Sequence, residues 1–97
     1  MERIGIPVEM LNRLVEELRR NGIWAERHSY SIRGMYNGKF VVSMHIYPGY
    51  RLVNIRLYSG DEKIDDIVFG IVKRAVDRYL KGYLIEAQRL YTTRFNS

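Results

Sequence analysis

Residues 39–58, KFVVSMHIYPGYRLVNIRLY, decide the architecture. Two runs rich in β-branched and aromatic residues flank Pro48-Gly49, and Pro followed by Gly suits the centre of a type II turn. Pairing the runs around that dipeptide sets Met44 against Val53, Val42 against Ile55 and Phe40 against Leu57. All three pairs are apolar and share one face by strand alternation. The reverse face then carries Val41 with Arg56, Ser43 with Asn54, His45 with Leu52, and Tyr47 with Tyr50. A register that separates apolar from polar residues on both strands predicts antiparallel strands over 39–47 and 51–58.

Working towards the N-terminus, Asn37-Gly38 is a strong short hairpin signal, so a further strand is expected over 23–33. Its apolar parity runs through Trp24, Tyr30 and Ile32. Strict pairing around Asn37-Gly38 would place Ser31 and Arg33 on the core face beside Met44 and Val42. One residue must therefore be absorbed, and a bulge is expected near Gly34, where glycine tolerates φ > 0. A longer loop over 34–38 is the alternative. Before this strand, Met10, Leu11, Leu14, Val15 and Leu18 recur at helical spacing behind Pro7, and Asn21-Gly22 supplies a stop, which predicts a helix over 7–20.

After the third strand, Ser59 and Glu62 have the spacing of a capping box. An apolar helical stripe then runs from Ile64 through Val68, Ile71, Val72, Ala75, Val76 and Leu80 to Tyr91, predicting a helix over 61–93. Unbroken, it would be about 50 Å long at roughly 1.5 Å per residue, too long for so small a domain. A break is expected around Gly82, or else a projecting segment. Tyr83, Leu84, Leu90 and Tyr91 then become candidates for a homodimer interface. Acidic Asp61, Glu62, Asp65 and Asp66 lead this helix and basic residues follow, the order that complements the helix dipole.

The expected fold is thus a single α+β domain over 1–97. It has a three-stranded antiparallel sheet with two helices on one face, in the order α-β-β-β-α. The composition is that of a folded globular chain, with 46% hydrophobic and 28% charged residues. No apolar run approaches the roughly 20 residues of a membrane span, and the first ten residues carry acids and lack the apolar core of a signal peptide. Cysteine is absent, which removes disulfides and thiolate metal sites and fits a reducing, cytoplasmic setting. Arginine in excess of lysine and a single glutamine fit a thermophilic source.

A formal charge of +5 favours polyanionic or acidic partners. On the expected outer sheet face stand Arg27, Arg33, His45, Tyr47, Arg56 and Tyr58, interleaved with Ser29, Ser31, Ser43 and Asn54. Guanidinium and hydroxyl groups bond phosphate oxygens and aromatic faces stack bases, so RNA or DNA is one expected ligand. A merely solvated face, or one covered by a protein partner, are the other readings of the same residues. No catalytic residue, cofactor, metal or small-molecule substrate is assigned: the chain has no phosphate-cradling glycine loop, no zinc spacing and no nucleophile elbow.

The element order, with LVEELRRNGIW at 14–24 and GDEKIDDIVFGIVKRAV at 60–76, resembles double-stranded-RNA-binding domains and the HicA-type mRNA interferases that share their fold. The resemblance implies RNA binding and, for the interferases, RNA cleavage by a histidine. Where the RNA-binding domains carry lysines at the start of the second helix, this chain has Asp61, Glu62, Asp65 and Asp66. The interferases' Gly-Ser-His appears only as Arg27-His28-Ser29. His28 reads as a half-buried structural histidine, and His45 is the better-placed candidate for proton transfer. Restriction-type nucleases, in which a helix also leads into a strand, need carboxylates on successive strands to hold Mg²⁺. FVVSMHIY and RLVNIRLY contain none.

Overall fold

The computed structural model describes residues 5–90. Helix α1 spans Val8–Arg20, and four strands follow: β1 Trp24–His28, β2 Ser31–Tyr36, β3 Lys39–Tyr47 and β4 Leu52–Leu57. Helix α2 (Glu62–Tyr79) leads into a last strand, β5 (Leu84–Arg89). The sheet has five strands in the order β1-β2-β3-β4-β5, antiparallel from β1 to β4, with β5 parallel to β4. Both helices lie on one face. Leu11, Leu14, Val15 and Leu18 of α1 and Val68, Val72, Ala75 and Val76 of α2 form one buried cluster with the inward residues of the strands.

The expected three-stranded sheet is therefore corrected to five strands, and each added strand has an identifiable cause. The single strand expected over 23–33 divides at Ser29-Tyr30, where Ser29 adopts φ 57 and His28 pairs with Ser31. Arg27 Nη1 donates to the Ser29 carbonyl at 2.9 Å and holds this turn. Because two residues are spent in the turn, the inward parity changes from odd residues in β1 to even residues in β2. Ile23, Ala25 and Ile32 are buried, whereas Trp24 is 56% exposed. The expectation that Trp24 and His28 face the core is overturned by that change of parity, and both are exposed.

The fifth strand replaces the far end of the expected long helix. Helix α2 stops at Tyr79, Gly82 takes φ 84, and the Leu84 N–H donates to the Arg51 carbonyl at 2.8 Å, starting a ladder along β4. Extended backbone here satisfies the second edge of β4, whose N–H and C=O groups a continuing helix would leave unpaired. Gly82 does mark the break, but the chain returns as a strand instead of resuming a helix. The residues expected to be helical beyond Leu90 lie outside the described residues.

From Val42 onward the faces of the opening stretch are as expected, but the register differs. Met44 pairs with Ile55, Val42 with Leu57 and Ile46 with Val53. Pro48–Tyr50 form a 3-10 turn and Arg51 is left-handed at φ 50, so the connection takes four residues, 48 to 51, instead of the two of a type II turn. Tyr47 consequently faces Leu52, and Tyr50 lies in the turn, 80% exposed.

A bulge does sit at Gly34, in a form that differs from the expectation. Gly34 pairs with Val42 and Met35 with Phe40, so the extra residue is Val41 of β3. Val41 and Val42 are both buried, and Phe40 is turned to the outer face. Phe40 is thus not a core partner of Leu57, nor is Val41 an outward residue. Space, not backbone sign, requires the glycine: a Cβ there would stand 2.6 Å from Ile23 Cγ2 and 2.9 Å from Val42 Cγ1.

The start of α2 is capped by Asp61, whose Oδ1 accepts from the Lys63 and Ile64 N–H groups at 2.8 and 3.3 Å. Ser59, expected as the cap, instead donates its hydroxyl to Asp65 Oδ1 at 2.5 Å. Asp65 is 1% exposed. Its second oxygen lies 3.3 Å from Arg89 Nε, and Arg89 Nη2 also reaches Asp66. The acidic helix start thus fastens β5 to α2.

Candidate functional site

The helices leave one sheet face uncovered, and its outward side chains fall into cross-strand rows because paired residues on adjacent strands point the same way. One row carries Glu26, Arg33, Ser43, Arg56 and Gln88; the next carries His28, Ser31, His45, Asn54 and Glu86. Beyond the first lie Trp24, Met35 and Phe40, with Tyr58 against Phe40 at a ring-centroid distance of 4.8 Å. Beyond the second lie Tyr47, Leu52 and Leu84.

Two shallow depressions follow these rows. One of about 390 Å³ is lined by Ser31, Arg33, Ser43, His45, Tyr47, Asn54 and Arg56. The other, about 320 Å³, is lined by Trp24, Glu26, Arg33, Met35 and Phe40. Arg33 belongs to both, its guanidinium 5.3 Å from the centre of the Phe40 ring. Neither Arg33 nor Arg56 forms an ion pair with a carboxylate among the described residues. At a strand spacing of about 4.8 Å their backbones stand about 10 Å apart, astride Ser43, so two long flexible guanidiniums can converge on one anion.

Hydrogen bonds hold the smaller side chains of the face. Ser31 Oγ and His45 Nδ1 lie 2.8 Å apart, a direct cross-strand pair, and the His45 ring leans on Tyr47 at 4.7 Å between centroids. Ser43 Oγ and the Tyr58 hydroxyl are 3.3 Å apart. The imidazole thus has a hydroxyl on one nitrogen and the open groove beside it. Among the described residues no three His, Asp or Glu side chains gather as a metal-binding group.

Of the six residues expected on this face, Arg33, His45, Tyr47, Arg56 and Tyr58 stand together on it. Arg27 does not: the parity change at Ser29-Tyr30 turns it to the helix side, where Nη2 reaches Asn12 Oδ1 of α1 at 3.4 Å. Sequence reasoning missed Trp24, Met35 and Phe40. The signal for Phe40 was present, since consecutive valines at 41 and 42 opposite a glycine are the composition of a bulge with two inward side chains. Trp24 depended on a turn whose sequence contains no Gly, Pro or Asn.

Three of the four residues expected in a dimer contact lie among the described residues. Tyr83 packs against the core, and burial pushes its hydroxyl pKa above the ordinary tyrosine value. Leu84 is 70% exposed on the outer side of β5. Leu90 extends the ladder, donating its N–H to the Leu57 carbonyl at 2.8 Å. Tyr91 lies outside the described residues.

No helix among the described residues is long and apolar enough to cross a membrane. Comparison of the chain with protein-family models, with curated proteins and with solved structures finds no match.

Proposed function

We propose that this protein binds nucleic acid, laying a single strand of RNA or DNA across the open sheet face. The observation that carries the reading is the row Arg33-Ser43-Arg56, two arginines that form no ion pair among the described residues, beside the exposed rings of Trp24 and Phe40. Phosphates meet the guanidiniums and the Ser43 and Ser31 hydroxyls. Bases stack on Phe40, Tyr58 and Trp24 at one side and on Tyr47 at the other. His45 is a polar contact of the same groove, and no cleavage step is assigned to it. The start of α2 plays no part, because its acids repel phosphate and are engaged as a cap and as partners of Arg89. The cysteine-free, arginine-rich chain suits a reducing cytoplasm, and its single glutamine a hot one.

Fluorescence anisotropy with labelled single- and double-stranded RNA and DNA at two salt concentrations tests this. Single strands bind more tightly, and affinity falls with a log–log salt slope of about −0.7 for each phosphate neutralised. The Arg33→Ala, Arg56→Ala double variant lowers affinity about tenfold or more and flattens that slope by about 1.4, from two lost phosphate contacts. The reading fails if no probe binds at low salt. It fails equally if affinity and slope are unchanged in the double variant.

A further inference from the structure

The two edges of the sheet are treated differently. The β1 edge lies beside α1: Arg19 Nε donates to the Ala25 carbonyl at 2.9 Å, and the same guanidinium sits 4.3 Å from the centre of the Trp24 ring. At the opposite edge, no strand among the described residues pairs with the outer side of β5. Leu84 stands there 70% exposed. An open groove of about 370 Å³ runs along the same strand, between Phe69 of α2 and Ala87.

From this edge we infer that β5 joins β5 of a second copy of the chain, antiparallel about a two-fold axis at Ala87. Two features of the strand favour this occupant and this register. In the ladder with β4, Leu84 and Leu90 turn their N–H groups inward, so by alternation Ile85 and Ala87 turn theirs outward. Pairing centred on Ala87 engages those groups and places the smallest side chain of the strand at the axis.

Side chains select the same register. On the outer face, pairing centred on Ala87 sets Glu86 opposite Gln88 of the second copy and Leu84 opposite its Leu90. Pairing one step away, centred on Glu86, would put the two Glu86 carboxylates directly against each other, which is destabilising. The result is one sheet running through both copies, and the row holding Arg56 and Gln88 continues into Glu86 and Asn54 of the second copy. The polar face of the candidate site thereby becomes continuous across the dimer, although the pairing stands independently of any ligand there.

Sedimentation or light scattering of the full chain at about 100 μM, well inside the range of ordinary protein association, reads the prediction directly. The expected mass is twice the 11.5 kDa of one chain. Exposed Gln88 offers variants that leave the fold intact: Gln88→Glu faces Glu86 of the second copy, at two symmetric places in the dimer, and weakens it about fivefold, whereas Gln88→Lys strengthens it by a similar factor. Ala87→Pro removes an outward N–H and yields a monomer with an unchanged circular-dichroism spectrum. A wild-type monomer overturns the inference, with protected Ile85 and Ala87 amides then showing that the chain's own C-terminal residues cover the edge. A dimer indifferent to all three substitutions overturns it as well.

Discussion

Gly34→Ala is the most searching test of the bulge that sorts the two faces of the sheet. The added methyl would stand 2.6 Å from Ile23 Cγ2 and 2.9 Å from Val42 Cγ1. Ile23 is fully buried and Val42 is 1% exposed, so neither is the loose end of a flexible side chain. Relief must come from the strand backbones, and overpacking of this kind costs about 1–3 kcal/mol. Taking about 2 kcal/mol, and roughly 4–8 °C per kcal/mol for a domain of this size, the melting temperature falls by about 8–16 °C. Val42→Ala alone removes two buried methylene equivalents and leaves a small cavity, again about 2 kcal/mol.

In the double variant the methyl at 34 enters the space vacated at 42, so the combined loss is smaller than the sum by about 1 kcal/mol. Urea denaturation of the four proteins of this cycle, followed by circular dichroism, measures the coupling. Additive losses would refute the packing argument, as would a Gly34→Ala variant within about 0.5 kcal/mol of wild type.

Further outcomes follow from the fastening of β5 and from the caps. Arg89→Ala leaves the buried Asp65 carboxylate, among the described residues, with its Ser59 hydrogen bonds; because Arg89 is one-third exposed, the expected loss is about 2 kcal/mol, below the 3–5 of a fully buried pair, by urea titration. Asp61→Ala removes the acceptor for two amides at the start of α2 and costs about 1 kcal/mol in the same assay. Burial raises the Tyr83 pKa above 10.0, so the unfolded chain loses that proton first as pH rises. Its contribution is therefore complete below pH 10.0 and is lost as pH rises above it; Tyr83→Phe flattens the alkaline decline in melting temperature. Trp24, the single tryptophan and 56% exposed, emits like a solvated indole, and its fluorescence is quenched when single-stranded nucleic acid occupies the face.

Local patterns made much of this fold legible. The amphipathic spacing of Leu11, Leu14, Val15 and Leu18 specifies α1, because a helix presents one face every 3.6 residues whatever it packs against. The alternation of Val42, Met44 and Ile46 with Ser43, His45 and Tyr47 specifies which side of β3 is buried, even though the turn at 48–51 moved its pairing by two residues. A two-residue slip preserves face, which is why Arg33, His45, Tyr47, Arg56 and Tyr58 were found together while their exact neighbours were not.

Tertiary structure decided the rest wherever a local signal was degenerate. Residues 84–89 suit a helix or a strand by apolar spacing; the unpaired edge of β4, which no local pattern reveals, made them a strand. Ser29-Tyr30 has no obligatory turn residue, so the parity change that exposes Trp24 and withdraws Arg27 rests on the packing of Ile23 and Ala25 beneath α1. Gly34 read as a conformational glycine and proved a spatial one, its missing Cβ filled by Ile23 and Val42. Periodicity follows from the backbone geometry of each element, so this sequence alone specified the faces of its main elements. Pairing partners and the room left between side chains depend on what arrives from elsewhere in the chain, and only the assembled structure decided those.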